Sequence, residues 1–445
     1  MMGPALRGVE GLEAGPVPEQ IRLWRGSGEH HWPGGARAPA RLAELTQGGV
    51  SNRATESAGS GGGDAPGATR TRSTYARVAQ LPVVIERCAL IPMVRDTSSG
   101  FTKISLVVRL TGDGQEGQGE DITWDQIDQL EFLRDAGRLS WLRGRRTFDE
   151  FSKLLGLAEL FPVEPIRESA RFYRRWAFES AALDLALRQN GLSLHDALGR
   201  AARPVNFVAS VRIGDPPSVG PLTARRRIDP ALHFKLDPTP SWDDDLVREL
   251  ARLGYVDVID MKGSYSNATV AMEPEADLYR RVIEGLPRAW IEDPAIVGET
   301  MGVLERHRDR ITWDEPIHSV ADIEALPWPP RMLNIKPARF GSARSLFDTY
   351  DYCAAHGIGA YGGGMFEQGP GRGQLHYLAS LFHPAGPNDL APAGYNLQLP
   401  PHELPRSPLP PEPHETGFRW GTYDTRRTIR EPRPEPAGRE RGAQA

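Results

Sequence analysis

The chain has 445 residues, of which 39% are hydrophobic and 25% are charged, and its formal net charge is −5. This length suits two or more domains, and the slight acidic excess argues against a nucleic-acid-binding or membrane-surface protein. Two cysteines are too few for a disulfide framework, and the sequence has neither a signal-peptide core nor about 18 consecutive apolar residues, so it predicts a cytoplasmic protein without a membrane span.

The two ends of the chain lack hydrophobic periodicity. Residues 51–73 consist almost entirely of Gly, Ser, Ala, Thr and charged residues, a composition that cannot bury enough apolar surface to fold. The sequence therefore predicts a disordered N-terminal arm over residues 1–80. Residues 421–445 are charged and contain prolines, and we expect a disordered tail there.

Residues 81–203 combine strand signals with helical ones. The runs 83–93 and 103–114 are rich in apolar and β-branched residues, and the second closes on Asp-Gly, a hairpin signal. Helical periodicity is strongest over 166–200, where large apolar residues recur near helical spacing. The pattern predicts an α+β domain that ends just before Pro204.

From residue 204 to 391, short apolar runs alternate with helical stretches. Successive charged residues at the ends of five runs are 25, 32, 22 and 22 positions apart, namely Lys235, Asp260, Glu292, Asp314 and Lys336. One strand, one helix and two short loops occupy roughly 22 residues. This alternation predicts a parallel sheet, and the carboxyl ends of its strands are where a β/α barrel builds its active site.

The five charged strand ends should therefore meet at one edge of the sheet. Each acid alone could simply cap the following helix, but five charges at successive strand ends favour a shared site. Crowded carboxylates repel each other unless a cation neutralises them. An all-oxygen set of ligands suits Mg²⁺, with Ca²⁺ or Mn²⁺ as alternatives, rather than zinc.

Three glycines, Gly369, Gly371 and Gly373, precede a predicted helix over 374–382. Exposed amides at a helix start favour an anion, such as a substrate carboxylate, and tight packing of the loop on the helix is the alternative. The pattern is not a dinucleotide-binding fingerprint, because no acidic residue follows a further strand about 20 positions on.

The chain resembles the enolase superfamily, in the branch of muconate-lactonizing enzyme and mandelate racemase, over residues 81–420. Five motifs carry the resemblance: AFESAALDLALRQNGLSLHDALGR (177–200), WIEDP (290–294), WDEP (313–316), NIKP (334–337) and YGGGMFEQGPGRG (361–373). It implies a modified (β/α)8 TIM-type barrel over 204–391, an N-terminal α+β capping domain over 81–203, and a segment, 392–420, that returns to the cap.

The resemblance also implies roles for individual residues. Asp260, Glu292 and Asp314 would hold Mg²⁺, with Mn²⁺ as an alternative, and Lys336 would be a general acid/base. Glu367 aligns with a position near the substrate.

Strand two departs from the family pattern Lys-x-Lys, in which the second lysine is an acid/base. Here the stretch is Lys235-Leu236-Asp237, so Asp237 faces the substrate in place of that lysine. We predict that Lys262 supplies the missing acid/base function. Lys262 is two positions after Asp260, and side chains at i and i+2 of a strand point to the same face. Nearby cations should also lower the pKa of Lys262. Lys235 is the competing candidate, and simple charge compensation by Lys262 is the alternative.

The function implied by the resemblance is Mg²⁺-dependent removal of a proton α to the carboxylate of a small acid. The outcome would be racemisation or epimerisation, cycloisomerisation, or syn-elimination by a lyase or dehydratase of the o-succinylbenzoate-synthase kind. The alternative is a barrel that has lost catalysis and binds a small molecule or a protein. Homo-oligomers are common among such barrels, and the sequence names neither the substrate nor the oligomeric state.

Overall fold

The computed structural model describes residues 73–96, 102–264, 274–397 and 400–422. Most of the predicted arm, most of the predicted tail and residues 97–101, 265–273 and 398–399 lie outside the described residues. The described chain begins at residue 73, before the predicted start of the cap at residue 81: Tyr75–Arg77 form a 3-10 turn, and the buried Tyr75 hydroxyl donates to Asp149 Oδ1 at 3.0 Å. A single turn has no hydrophobic periodicity, so the sequence pattern carries no signal for it.

The cap is built on two antiparallel sheets. Strands β2 (Arg87–Asp96), β3 (Thr102–Gly112) and β4 (Gln115–Asp121) form one, and β1 (Pro82–Ile85) pairs with β5 (Gly144–Thr147) in the other. The predicted Asp-Gly hairpin joins β3 to β4, with positive φ at both Asp113 and Gly114.

Four helices complete the cap: α1 (Gln126–Arg134), α2 (Phe148–Leu157), α3 (Ser169–Gln189) and α4 (Leu194–Leu198). Helix α3 is buried along most of its length and packs directly on β4. A Cβ at Gly119 would lie 2.0 Å from the Ala177 carbonyl oxygen, so this close approach of helix and sheet requires glycine.

Seven parallel strands follow in sequential order and form the barrel. They are β6 (Val208–Val211), β7 (His233–Leu236), β8 (Val256–Asp260), β9 (Trp290–Glu292), β10 (Ile311–Trp313), β11 (Met332–Ile335) and β12 (Gly359–Gly362). The sequence predicted eight strands. In the eighth place, Asn388 and Asp389 make isolated bridges to Phe207 and Gly363, because flanking prolines at 387 and 392 lack the N–H that a longer ladder needs.

Helices cover the outside of the barrel: α5 (Gly220–Arg226), α6 (Asp244–Leu253), α7 (Ala276–Gly285), α8 (Gly298–Arg306), α9 (Val320–Glu324), α11 (Ala343–His356) and α12 (Pro370–Phe382). The short helix α10 (Pro337–Phe340) is buried and packs on α3 of the cap. The side chains of Asp243, Ser319 and Ser342 cap α6, α9 and α11. The predicted fold class, a modified (β/α) barrel with an N-terminal α+β cap, is confirmed.

The segment 400–422 crosses back to the cap. Leu409 bridges Val205 at the start of the barrel, and the buried Phe418 ring packs against Trp176 of α3. Asp184 Oδ1 accepts the Phe418 backbone N–H at 2.8 Å. Among the described residues, no helix is long and apolar enough to cross a membrane.

Candidate active site

The charged residues predicted at the strand ends meet inside the carboxyl end of the barrel. Asp260 and Glu292 are register partners on β8 and β9, and Asp314 and Lys336 directly follow β10 and β11. All four side chains are buried, as is Lys235 on β7. Buried charges at one sheet edge require partners of opposite charge, and here the acids and lysines pair with each other.

Lys235 bridges two of the three acids. Its Nζ donates to Glu292 Oε1 and lies 3.1 Å from Asp260 Oδ2, with Asp389 Oδ2 at 3.9 Å. Burial lowers the pKa of Lys235, but Asp260 and Glu292 raise it by more, so its net shift is upward. Lys235 is therefore held as a cation between the acids.

The third acid, Asp314, is paired with cations on the far side of the barrel from Lys235. Lys336 Nζ donates to Asp314 Oδ2 at 2.6 Å, and Arg339 Nη2 lies 3.4 Å from the same oxygen. Burial raises the pKa of Asp314, but Arg339 and Lys336 lower it by more, so that carboxylate stays ionised.

Lys262 lies at the mouth of the barrel, as predicted, but not because it shares a strand face with Asp260. Strand β8 ends at Asp260, and Lys262 has a left-handed φ of 49°, so the two do not share a strand face. The side chain instead folds back, placing its Nζ 2.7 Å from Asp260 Oδ2 and 3.4 Å from Asp237 Oδ2. At 21% exposure it is the most open lysine of the site.

The expected lowering of the Lys262 pKa is wrong in this arrangement. Burial does lower this pKa, but Asp260 and Asp237 raise it by more. Burial also raises the pKa of Asp237, and Lys262 offsets only part of that increase. A carboxylate on strand two and a lysine after strand three thus form a charge pair where the family pattern has a lysine on strand two.

Residues that the sequence analysis did not single out complete the site. The buried Tyr361 hydroxyl on β12 donates to Glu292 Oε2, and Asn334 Nδ2 on β11 donates to Glu292 Oε1 at 3.3 Å. Asp293 Oδ1 and Oδ2 accept the backbone N–H groups of Asp314 and Glu315 at 2.8 and 2.9 Å. Asn334, Asp293 and Tyr361 each sit inside a quoted motif, NIKP, WIEDP and YGGGMFEQGPGRG, which offered a signal, although the strand around Tyr361 predicts a core side chain.

The glycine-rich loop does hold an anion, but the anion belongs to the protein. Glu120 of β4 accepts the Gly369 and Gly371 amides at 2.9 and 3.1 Å, so the expected substrate carboxylate does not occupy this helix start. Glu367 lies just before these glycines, where its Oε2 accepts the Met365 N–H at 2.7 Å. Burial raises the pKa of Glu367.

The donor chemistry of the site suits a hard divalent cation. Among the described residues, no three acidic, His or Cys side chains stand ready to hold a metal ion, because lysines contact the acids. Yet Asp237 Oδ1 is buried without a hydrogen-bond partner. Ion pairs join five carboxylates to four cations, which leaves one carboxylate in excess: Asp237, Asp260, Glu292, Asp314 and Asp389 against Lys235, Lys262, Lys336 and Arg339. An excess of carboxylate oxygens suits a hard divalent cation.

Comparison with known proteins adds relatives to this picture. Residues 76–197 and 201–397 match the N-terminal and C-terminal domains of the family described as domain of unknown function DUF8230. The chain is 28% identical over 310 residues to an o-succinylbenzoate synthase from Geobacillus stearothermophilus, covering 66% of this chain and 78% of the relative. It is 32% identical over 227 residues to an N-succinylamino acid racemase from an Amycolatopsis species, covering 49% and 61%.

Solved structures share the fold. Muconate lactonizing enzyme from Pseudomonas putida superposes with a TM-score of 0.52 at 23% identity, covering 69% of this chain and 88% of that one. A dipeptide epimerase from Methylococcus capsulatus, solved with a Mg ion, gives 0.51 at 23% identity, covering 71% and 88%. The fold and the site define a β/α-barrel enzyme with an acidic mouth flanked by lysines. Within that class, the chain belongs to the enolase superfamily, in the branch of muconate-lactonizing enzyme and mandelate racemase.

Proposed function

We propose that the protein removes and returns a proton α to the carboxylate of a small acid, in a Mg²⁺-dependent reaction. The observation that carries this proposal is the placement of lysines on opposite walls. Lys235 on β7 and Lys336 after β11 are four strands apart in the sequential barrel, and the three acids lie between them. An α-carbon above the acids would present one face to each wall.

Asp260, Glu292 and Asp314 are the residues that would hold Mg²⁺. The ion would stabilise the negative charge that grows on the substrate carboxylate when the α-proton leaves. Lys235 contacts Asp260 and Glu292, so we expect this lysine to compete with the cation and to keep the acids from repelling each other. Asp293 fixes the loop that carries Asp314 through two backbone N–H groups.

Lys336 is the proposed acid/base on one face, since its Nζ lies at the acids and donates to Asp314 Oδ2, which Arg339 also contacts. The opposite face would be served by Lys262 or Lys235. Lys262 is the better placed, because its side chain is more exposed than that of Lys235 and lies against Asp260 and Asp237 rather than between Asp260 and Glu292.

Two lysine walls favour racemisation or epimerisation over elimination or cycloisomerisation, because transfer of a proton from one face to the other needs a group on each side. The likeness to an N-succinylamino acid racemase supports N-acylated amino acids as the first substrates to test. Asp237 would face the polar part of such a substrate, as Glu367 would from the other side of the mouth.

The test is α-hydrogen exchange in D₂O, followed by ¹H NMR, on N-succinyl-L-amino acids and L-dipeptides. We expect loss of the α-proton signal with at least one N-succinyl-L-amino acid in Mg²⁺, formation of the D-enantiomer, and no exchange in EDTA. Exchange that persists in EDTA would contradict the metal dependence. Exchange without inversion would contradict the two-sided mechanism.

The second candidate is a barrel that binds without catalysis. One observation favours it: the acids are already paired with lysines. Calorimetric titration with Mg²⁺ separates the two functions. The enzyme requires saturable binding to the wild type that Glu292→Gln weakens, whereas equal heats from both proteins would favour the binding barrel.

A further inference from the structure

Glu120 joins the cap to the active-site end of the barrel. It is buried near the end of β4, and its Oε1 accepts the Ser105 hydroxyl at 2.9 Å and the Gln368 backbone N–H at 2.7 Å. Its Oε2 accepts the backbone N–H groups of Gly369 and Gly371 at 2.9 and 3.1 Å. Three of these four donors belong to the barrel, so one cap carboxylate binds three barrel amides.

The position of these amides explains why a carboxylate binds them. They lie at the start of α12, where the unpaired N–H groups and the helix dipole favour negative charge, and Pro370 has no N–H to add. A Cβ at Gly371 would lie 3.0 Å from Glu120 Oε2 and 3.1 Å from Glu367 Cγ. The glycine is therefore needed for the close approach of both acids.

The same stretch of chain reaches the catalytic end of the barrel. We call residues 363–371 the bridge segment. At its first residue, a Cβ on Gly363 would lie 2.6 Å from Lys336 Cε. Phe366 holds a left-handed φ of 64° inside the segment and packs against Trp124 of the cap at 5.7 Å between ring centroids. Such a conformation is strained for a side chain of this size and persists only when the surroundings impose it.

We propose that Glu120 is a positioning residue: by binding the three amides, it fixes the bridge segment, and with it Glu367, against the substrate site when the cap is seated. This inference rests on the proposed function for its effect on catalysis, but not for its effect on the bridge segment. It also assigns the helix start to the cap, so the substrate carboxylate binds elsewhere in the mouth.

Hydrogen–deuterium exchange of the bridge segment tests the positioning role without any substrate. We expect Glu120→Ala to speed exchange in a peptide covering 363–371 by at least about tenfold, since three hydrogen bonds to a charged group are lost, while peptides from β6 to β10 are unchanged. Sodium acetate should restore protection, because its carboxylate fits the space left by the side chain. Ser105→Ala is the matched control; it removes one donor, leaves the amides bound, and should change exchange less than about twofold.

Activity supplies the second readout, using whichever N-succinyl-L-amino acid the wild type exchanges. Glu120→Ala should lower kcat at least about tenfold with little change in KM, and acetate should recover part of the loss. Glu120→Gln keeps the shape of the side chain and one acceptor oxygen, and it replaces the alanine variant if that variant does not fold. Its kcat should lie between those of the wild type and Glu120→Ala. Unchanged exchange of the 363–371 peptide, or equal loosening of the whole cap, would overturn the proposal even if the protein turns over no substrate.

Discussion

Replacement of Lys235 by methionine should expose how the acids are balanced. Lys235 is 3% exposed and bridges Asp260 and Glu292, whose side chains are 3% and 0% exposed. Removing one partner of a buried pair leaves an uncompensated charge and typically costs about 3–5 kcal/mol. Methionine fills a similar volume, so the loss would come from charge rather than from a cavity. In EDTA, we therefore expect Lys235→Met to be less stable than the wild type by about that amount.

Mg²⁺ should recover much of the loss. A cation at about 100 times its dissociation constant stabilises the folded state by about 2.7 kcal/mol, and in Lys235→Met it no longer competes with the ammonium. The assay is chemical and thermal unfolding of both proteins in EDTA and in Mg²⁺. Lys153→Met is the matched control, because that lysine is 70% exposed in its pair with Asp149 and should cost less than about 1 kcal/mol. Equal stability of Lys235→Met and the wild type in EDTA, or equal gains from Mg²⁺, would refute this reasoning.

Three further predictions concern other parts of the molecule. Lys262→Met should lose α-hydrogen exchange on one face of the substrate while binding Mg²⁺; full exchange on both faces would remove Lys262 from the mechanism. Deleting residues 1–72 should leave the melting temperature unchanged, whereas deleting 1–80 should lower it by removing the buried Tyr75; equal melting of the two would contradict this boundary. Burial lowers the pKa of Lys103 from 10.5 to about 8, so between pH 8 and 10.5 the unfolded chain binds more protons than the folded one. The unfolding free energy of the wild type should therefore rise with pH, relative to that of Lys103→Met, by up to about 3 kcal/mol. A difference in unfolding free energy that is constant from pH 7 to 10 would contradict it.

The positions of the strand-end charges could be predicted because their spacing follows the β/α unit. Lys235, Asp260 and Glu292 each lie at the carboxyl end of a strand, and parallel strands bring those ends to one edge whatever the helices between them do. The predicted eighth strand was reduced to two bridging residues because prolines interrupt it, a local effect that a repeating pattern does not include.

Contacts that join distant parts of the chain could not be read from spacing. Glu120 meets Gly371 across 251 positions, and its place in β4 looked like any acid at the end of a strand. Tyr361 lies in a buried strand, so its pattern predicts core packing, and only the curvature of the barrel turns its hydroxyl toward Glu292. Lys262 reaches the acids through a left-handed backbone conformation, which a pattern of alternating strand residues cannot predict.

The most direct test of the proposed chemistry is α-deuterium incorporation into an N-succinyl-L-amino acid by the wild type and by Lys336→Met, each in Mg²⁺. Calorimetry on the same samples reports Mg²⁺ binding, so loss of the base is separated from loss of the metal. General acid/base catalysis contributes about 10²–10⁴-fold, and we expect Lys336→Met to lose exchange on its face by at least about 10²-fold while still binding Mg²⁺. Wild-type exchange rates on both faces in Lys336→Met would contradict the proposed role of Lys336 as an acid/base.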